Sequence, residues 1–141
     1  MVLVDANVLL YAVHRTSSHH DESRTWLERS LEGAEAVGLA WLALLAFVRL
    51  GTNRAIFQLA MSPEDALDQV EAWLSAPAAV VVEPTTRHTE VLRGLLVEAG
   101  TAGNLTNDAH LAALAVEHGA DIVSYDRDFQ RFPGVKHRLP G

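Results

Sequence analysis

The sequence predicts an α/β fold with a central, mainly parallel sheet of four to five strands, and three observations predict it. Short continuous apolar runs, such as Val2–Val4 and the valine-rich Ala78–Val82, have the character of strands covered on both faces. Between such runs lie segments whose apolar residues recur at helical spacing, the alternation of a parallel α/β sheet. Acids stand at or just past the predicted strand ends, where open parallel sheets bind their ligands.

Val2–Val4 is the first strand, and it stops on Asp5. Val8, Leu9, Leu10 and Ala12 mark a short helix beginning just after that acid. Ser17 and Ser18 are cap candidates for a second helix, with Trp26, Leu27 and Leu31 as its apolar stripe. Ala36–Ala40 is the second strand, and Trp41–Leu50 is apolar almost throughout, which predicts a buried helix. Its Trp41, Leu42, Leu44, Leu45 and Phe47 are therefore expected in a core or an interface rather than on a base-stacking platform. Ser62-Pro63-Glu64-Asp65 opens the next helix with a serine cap, a proline at its first position and acids in its first turn. That helix runs to about Leu74 and ends at Ala76-Pro77. Ala78–Val82 follows as the third strand and Thr86–Ala99 as a helix broken by Gly100–Gly103. Thr106–His118 is helical up to a Gly119 stop, Asp121–Tyr125 is the fourth strand, and Val135–Leu139 is a short fifth.

A chain of 141 residues with 49% hydrophobic content is long enough to bury a core, so one domain over 1–141 is expected and disorder is excluded. The absence of cysteine excludes disulfides and thiolate-bound zinc. The start MVLVDAN has no basic leader, and the longest apolar run, Leu39–Val48, is too short to span a bilayer; a soluble, cytoplasmic protein is expected. The net charge of −7 opposes binding to a polyanion, but the distribution is uneven. From Asp121 onward four bases, Arg127, Arg131, Lys136 and Arg138, face three acids, so the acidic excess lies in the rest of the chain.

Asp5 closes the first strand, Asp126 follows the fourth, and Asp108 opens the helix that feeds the fourth. Each has a local reading: Asp5 as a helix cap, Asp108 as a first-turn acid, Asp126 as a turn residue. A cap gives no reason for all three to meet at one sheet edge, which they do if strand order reverses between the first and fourth strands. A hard divalent cation, Mg²⁺ or Mn²⁺, gives one, because it prefers carboxylate oxygens and offsets their repulsion. His19-His20-Asp21 makes a poor chelate, since consecutive helical residues do not share a face. His110 and His118 are expected at the surface or in local packing.

The segments LVDANVLLY, AFVRLGTN and GNLTNDAHLAALAVEHGADIVSYDRDFQRF resemble a PIN domain, specifically the VapC-type toxins of bacterial toxin–antitoxin pairs. The similarity covers nearly the whole chain in order, and its long C-terminal block is the most specific part. The resemblance implies an α/β/α sandwich and a Mg²⁺- or Mn²⁺-dependent endoribonuclease, usually a homodimer, restrained by a VapB-type antitoxin. It makes Asp5, Asp108 and Asp126 matches to the family's first, third and fourth acids, and Asp128 a match to an additional acid. It makes Asn7 and Ser124 supporting polar residues. The family's second acid, a glutamate three residues before an arginine, is replaced: Ala46 stands three residues before Arg49. Arg49 is then either a partner of the carboxylates and the scissile phosphate or one half of a structural ion pair. RNA contacts are expected from Arg127, Arg131, Lys136 and Arg138. Ala46 keeps a second reading open, a PIN-like module that binds RNA or antitoxin without cutting. A lone Asp5 on the first strand and a sole lysine, Lys136, set the chain apart from phosphoacceptor receiver domains.

Overall fold

The computed structural model describes residues 1–141, with strands β1 (Val2–Val4), β2 (Val37–Leu39), β3 (Ala79–Val81), β4 (Asp121–Val123) and β5 (His137–Arg138). They form one sheet in the order β3-β2-β1-β4-β5, and every neighbouring pair is parallel. The order reverses between β1 and β4, which are paired in register as Val2 with Asp121 and Val4 with Val123. That reversal is the crevice where parallel sheets bind ligands, and it is where Asp5 and Asp126 leave their strands.

Alternation along β1 sends its residues into two cores. Val2 and Val4 pack with residues of α1 (Ala6–Val13), α2 (His20–Leu31), α3 (Trp41–Gly51) and α4 (Pro63–Leu74) on one face. Leu3 and Ile122 pack on the other face with residues of α5 (His88–Ala99) and α6 (Thr106–His118) and with Phe129 and Phe132. The result is the expected α/β/α sandwich with five strands. Several starts and stops follow their local chemistry. Ser62 Oγ accepts the Asp65 amide at 3.1 Å, Pro63 opens α4, and Gly119 ends α6 in the left-handed region at φ 64°.

Three local expectations are corrected. Neither Ser17 nor Ser18 caps α2; Ser17 Oγ accepts the His19 amide at 3.1 Å in a turn that precedes the helix at His20. α3 is not buried all round: Leu44 and Phe47 are in the core, but Trp41 is 45% and Leu45 59% exposed. β3 is an edge strand, so Val80 and Val81 keep much of their surface in solvent instead of being covered on both sides. His110 and His118 do serve local packing. His88 Nε2 lies 2.9 Å from His110 Nδ1 while its Nδ1 pairs with Glu117, and His118 Nε2 lies 2.7 Å from the Glu83 carbonyl. Together these contacts tie α5 and its preceding loop to α6. No helix is long and apolar enough to cross a membrane.

The sheet interior has no room at Gly38 of β2. A Cβ there would lie 2.7 Å from Val82 Cγ2 and 3.2 Å from both Leu3 Cδ1 and the Val2 carbonyl oxygen. Val82 is β-branched and buried, so it does not swing aside freely. Gly38→Ala is expected to lower the unfolding free energy by about 1–3 kcal/mol in urea melts; an unchanged midpoint would contradict this packing.

Candidate functional site

Asp5 sits between β1 and α1, and its two carboxylate oxygens have different tasks. Oδ1 accepts the Ala6 amide at 2.7 Å, so the acid caps α1. Oδ2 accepts the Ser124 hydroxyl at 2.7 Å and the Asn7 side-chain amide at 3.3 Å. Ser124 is fully buried just past the end of β4. With its O–H donated to Asp5, its oxygen accepts the Asn7 amide at 3.1 Å and the Asp126 backbone N–H at 2.9 Å. Asn7 Oδ1 accepts the Tyr125 N–H at 3.2 Å, so α1 and the segment after β4 are stitched at consecutive residues. His137 of β5 adds a contact that sequence reading missed, with Nε2 2.8 Å from the Ser124 carbonyl oxygen. Its only sequence signal was a polar residue inside the fifth strand.

Asp126 also works locally. Its Oδ1 accepts the Asp128 N–H at 2.9 Å and starts the 3₁₀ turn Arg127–Arg131, which points both acids to one side. Asp108 enters from the first turn of α6. Carboxylate oxygens of Asp108, Asp126 and Asp128 lie within 4.8 Å of one another, and Asp5 is not in that tight group. Asp5 is instead held by its protein donors and shares a cleft of about 530 Å³ with Asp108. The cleft's other wall is α3, through Leu42, Leu45, Ala46 and Arg49.

Burial raises the Asp108 carboxyl to about 6, and repulsion from Asp126, Asp5 and Asp128 adds to the rise; no hydrogen bond offsets it. Burial also raises Asp5, and Asp126 adds to the rise, against the lowering effects of Ser124, Ala6 and His137. The donor set is all hard oxygen, crowded and mutually repelling, which suits Mg²⁺ or Mn²⁺.

The bases fall into two groups. Arg127 and Arg131 are exposed on the 3₁₀ turn beside the acids. Arg138 is not brought to the acids: its guanidinium pairs with Glu35 at 3.3 Å and Asp121 at 3.8 Å, near the amino end of β4. Lys136 lies at that same end, its carbonyl accepting the Ile122 amide at 2.8 Å. Arg49 takes no part in any ion pair within the chain, and its side chain is exposed on the cleft wall.

The family model for the PIN domain matches residues 2–135. The chain belongs to the PIN-domain family. Within the family it is 57% identical to Ribonuclease VapC37 of Mycobacterium tuberculosis, over 99% of this chain and 97% of that one. Among solved structures, VapBC2 from Rickettsia felis bound to a promoter DNA fragment matches with a TM-score of 0.71 at 19% identity, covering 99% of this chain and 98% of that one. The Mycobacterium tuberculosis VapC20, a Sarcin-Ricin loop cleaving toxin, matches with a TM-score of 0.69 at 18% identity, over 96% and 99% of the two chains. This PIN domain thus carries the VapC sandwich with an alanine, Ala46, in the cleft wall facing Asp5 and Asp108.

The raised carboxyl has a consequence for stability. Folding raises the Asp108 pKa from 3.8 to about 6, so the folded state holds that proton more tightly. The ionised carboxylate therefore disfavours folding fully above about pH 6, and the effect fades toward about pH 4. In EDTA, Asp108→Asn is expected to be more stable than the wild type in urea melts at pH 7.5. That advantage should shrink as pH falls through 6; an advantage independent of pH would contradict the assignment.

Proposed function

We propose that this PIN domain is a Mg²⁺- or Mn²⁺-dependent endoribonuclease toxin held in check by a cognate VapB-type antitoxin. The observation that carries the proposal is the group of three carboxylates at the strand-order reversal, with oxygens within 4.8 Å. Asp108, Asp126 and Asp128 would hold the cation, and Asp5, across the same cleft from Arg49, would complete the acidic site. When bound, such an ion supplies Lewis-acid charge that strengthens water as a nucleophile and offsets negative charge developing on a phosphodiester.

The chain's own residues prepare the site. Ser124 and Asn7 fix the direction of the Asp5 carboxylate. Asp126 fixes Asp128 through its backbone N–H. Arg49, exposed and unpaired on the facing wall, is placed to bind a phosphate oxygen. Arg127 and Arg131 flank the acids and are the bases we assign to RNA phosphates; Lys136 and Arg138 are left out of that set. A recessed acidic cleft admits a flexible backbone more readily than a stacked duplex, so single-stranded or looped RNA is the proposed substrate. A homodimer would double the basic rim.

Purified protein is expected to cleave RNA with Mg²⁺ or Mn²⁺ and to stop in EDTA. Asp126→Ala is expected to reduce the rate by roughly 100-fold or more. Cleavage that survives both treatments would rule out the cation chemistry.

Ala46 favours a second reading, a domain that binds RNA or antitoxin without cutting. The cleft wall there is apolar, with Leu42 and Leu45 beside it and no carboxylate from α3. Ala46→Glu adds the missing acid and is expected to tighten Mn²⁺ binding by about tenfold in calorimetry. RNA retained but uncut by the wild type, with cleavage appearing only in Ala46→Glu, would favour the second reading.

A further inference from the structure

Ser23 and Ser124 are the two polar residues buried whole in this structure, and one residue of the loop after β4 bonds to the first and follows the second. Tyr125 follows Ser124 and precedes Asp126. Its phenol oxygen lies 2.9 Å from Ser23 Oγ on α2. Its ring stacks on His19 with centroids 4.2 Å apart and planes 26° apart, and it lies 5.4 Å from the Tyr11 ring of α1. The turn that carries His19 is itself held, because His20 Nδ1 lies 2.8 Å from the Tyr11 carbonyl oxygen. The Tyr125 N–H meanwhile donates to Asn7 Oδ1 at 3.2 Å.

No part of the Tyr125 ring forms a hydrogen bond with a carboxylate of the site, so its effect passes through the backbone. We infer that Tyr125, anchored to Ser23 and stacked on His19, is a positioning residue that sets the placement of Asp126 and Asp128 for the divalent cation. The inference rests on the cation site proposed above. Without the anchor the two-residue link from Ser124 to Asp126 keeps its inner tie but loses its outer one. The carboxylates then sample a wider range of separations, at the expense of ion affinity.

The test compares wild type, Tyr125→Phe, Ser23→Ala and the double variant of the full chain. It uses Mn²⁺ calorimetry, thermal melts and RNA cleavage against Mn²⁺ concentration. Tyr125→Phe keeps the ring and its stacking, and Ser23→Ala removes the same bond from the other side. Both are expected to weaken the Mn²⁺ Kd and raise the half-saturating Mn²⁺ for cleavage by about tenfold. Cleavage rates at saturating Mn²⁺ should stay within about twofold of wild type, and the double variant should be no weaker than either single one. A fall in melting temperature with unchanged Mn²⁺ affinity would reduce Tyr125 to a packing residue and overturn the inference alone. A wild type that binds no Mn²⁺ would overturn the cation site and the inference with it.

Discussion

Like charges brought together at the carboxyl end of the sheet are the constraint on which this structure turns. Three carboxylates share a space a few ångströms across and a fourth lies outside that group, yet none has an ion-pair partner. Neutral donors do the holding instead. The Ser124 hydroxyl, the Asn7 amide and the backbone N–H groups of Ala6 and Asp128 all point at carboxylate oxygens. A neutral donor orients an acid without cancelling its charge, so the repulsion is retained and adds to the rise that burial produces in the Asp108 carboxyl. An arginine in the same place would have offset that repulsion.

The same economy explains why the simple readings of Asp5 and Asp126 are true and insufficient. Asp5 does cap α1, and Asp126 does start a turn, each with one oxygen. A carboxylate has two oxygens, and the second of Asp5 faces Ser124 and Asn7. Asp108, in the first turn of α6, makes no such hydrogen bond, and its carboxyl is the one raised to about 6. Facing it, α3 offers Ala46 and Arg49, so one wall of the cleft is apolar and cationic.

Much of the fold was legible because its signals are local. The α4 start reads directly from Ser62-Pro63, since a capping hydroxyl and a proline both act within one turn. The α6 stop reads from Gly119, which adopts a left-handed conformation that costs other residues. Ser17 misled because turn and cap use the same side-chain acceptor and differ only in where the helix begins. The expectation of a wholly buried α3 misled because apolar composition marks a helix as able to be buried, while exposure, as at Trp41 and Leu45, depends on which neighbours arrive. Val80 and Val81 misled for the same reason, β3 having no strand beyond it.

For the site, the sequence by itself determined the donor types: the acids, their places at or just past strand ends, and an alanine at position 46. These follow from residue type and strand length, which are properties of short segments. The sheet order decided the rest, because only the pairing of β1 with β4 brings residues more than a hundred positions apart into contact. It left Asp5 outside the group of three clustered acids, turned Arg138 toward Glu35, and joined Ser23 to Tyr125. Distances between remote side chains depend on the whole chain's packing, and no local pattern encodes them.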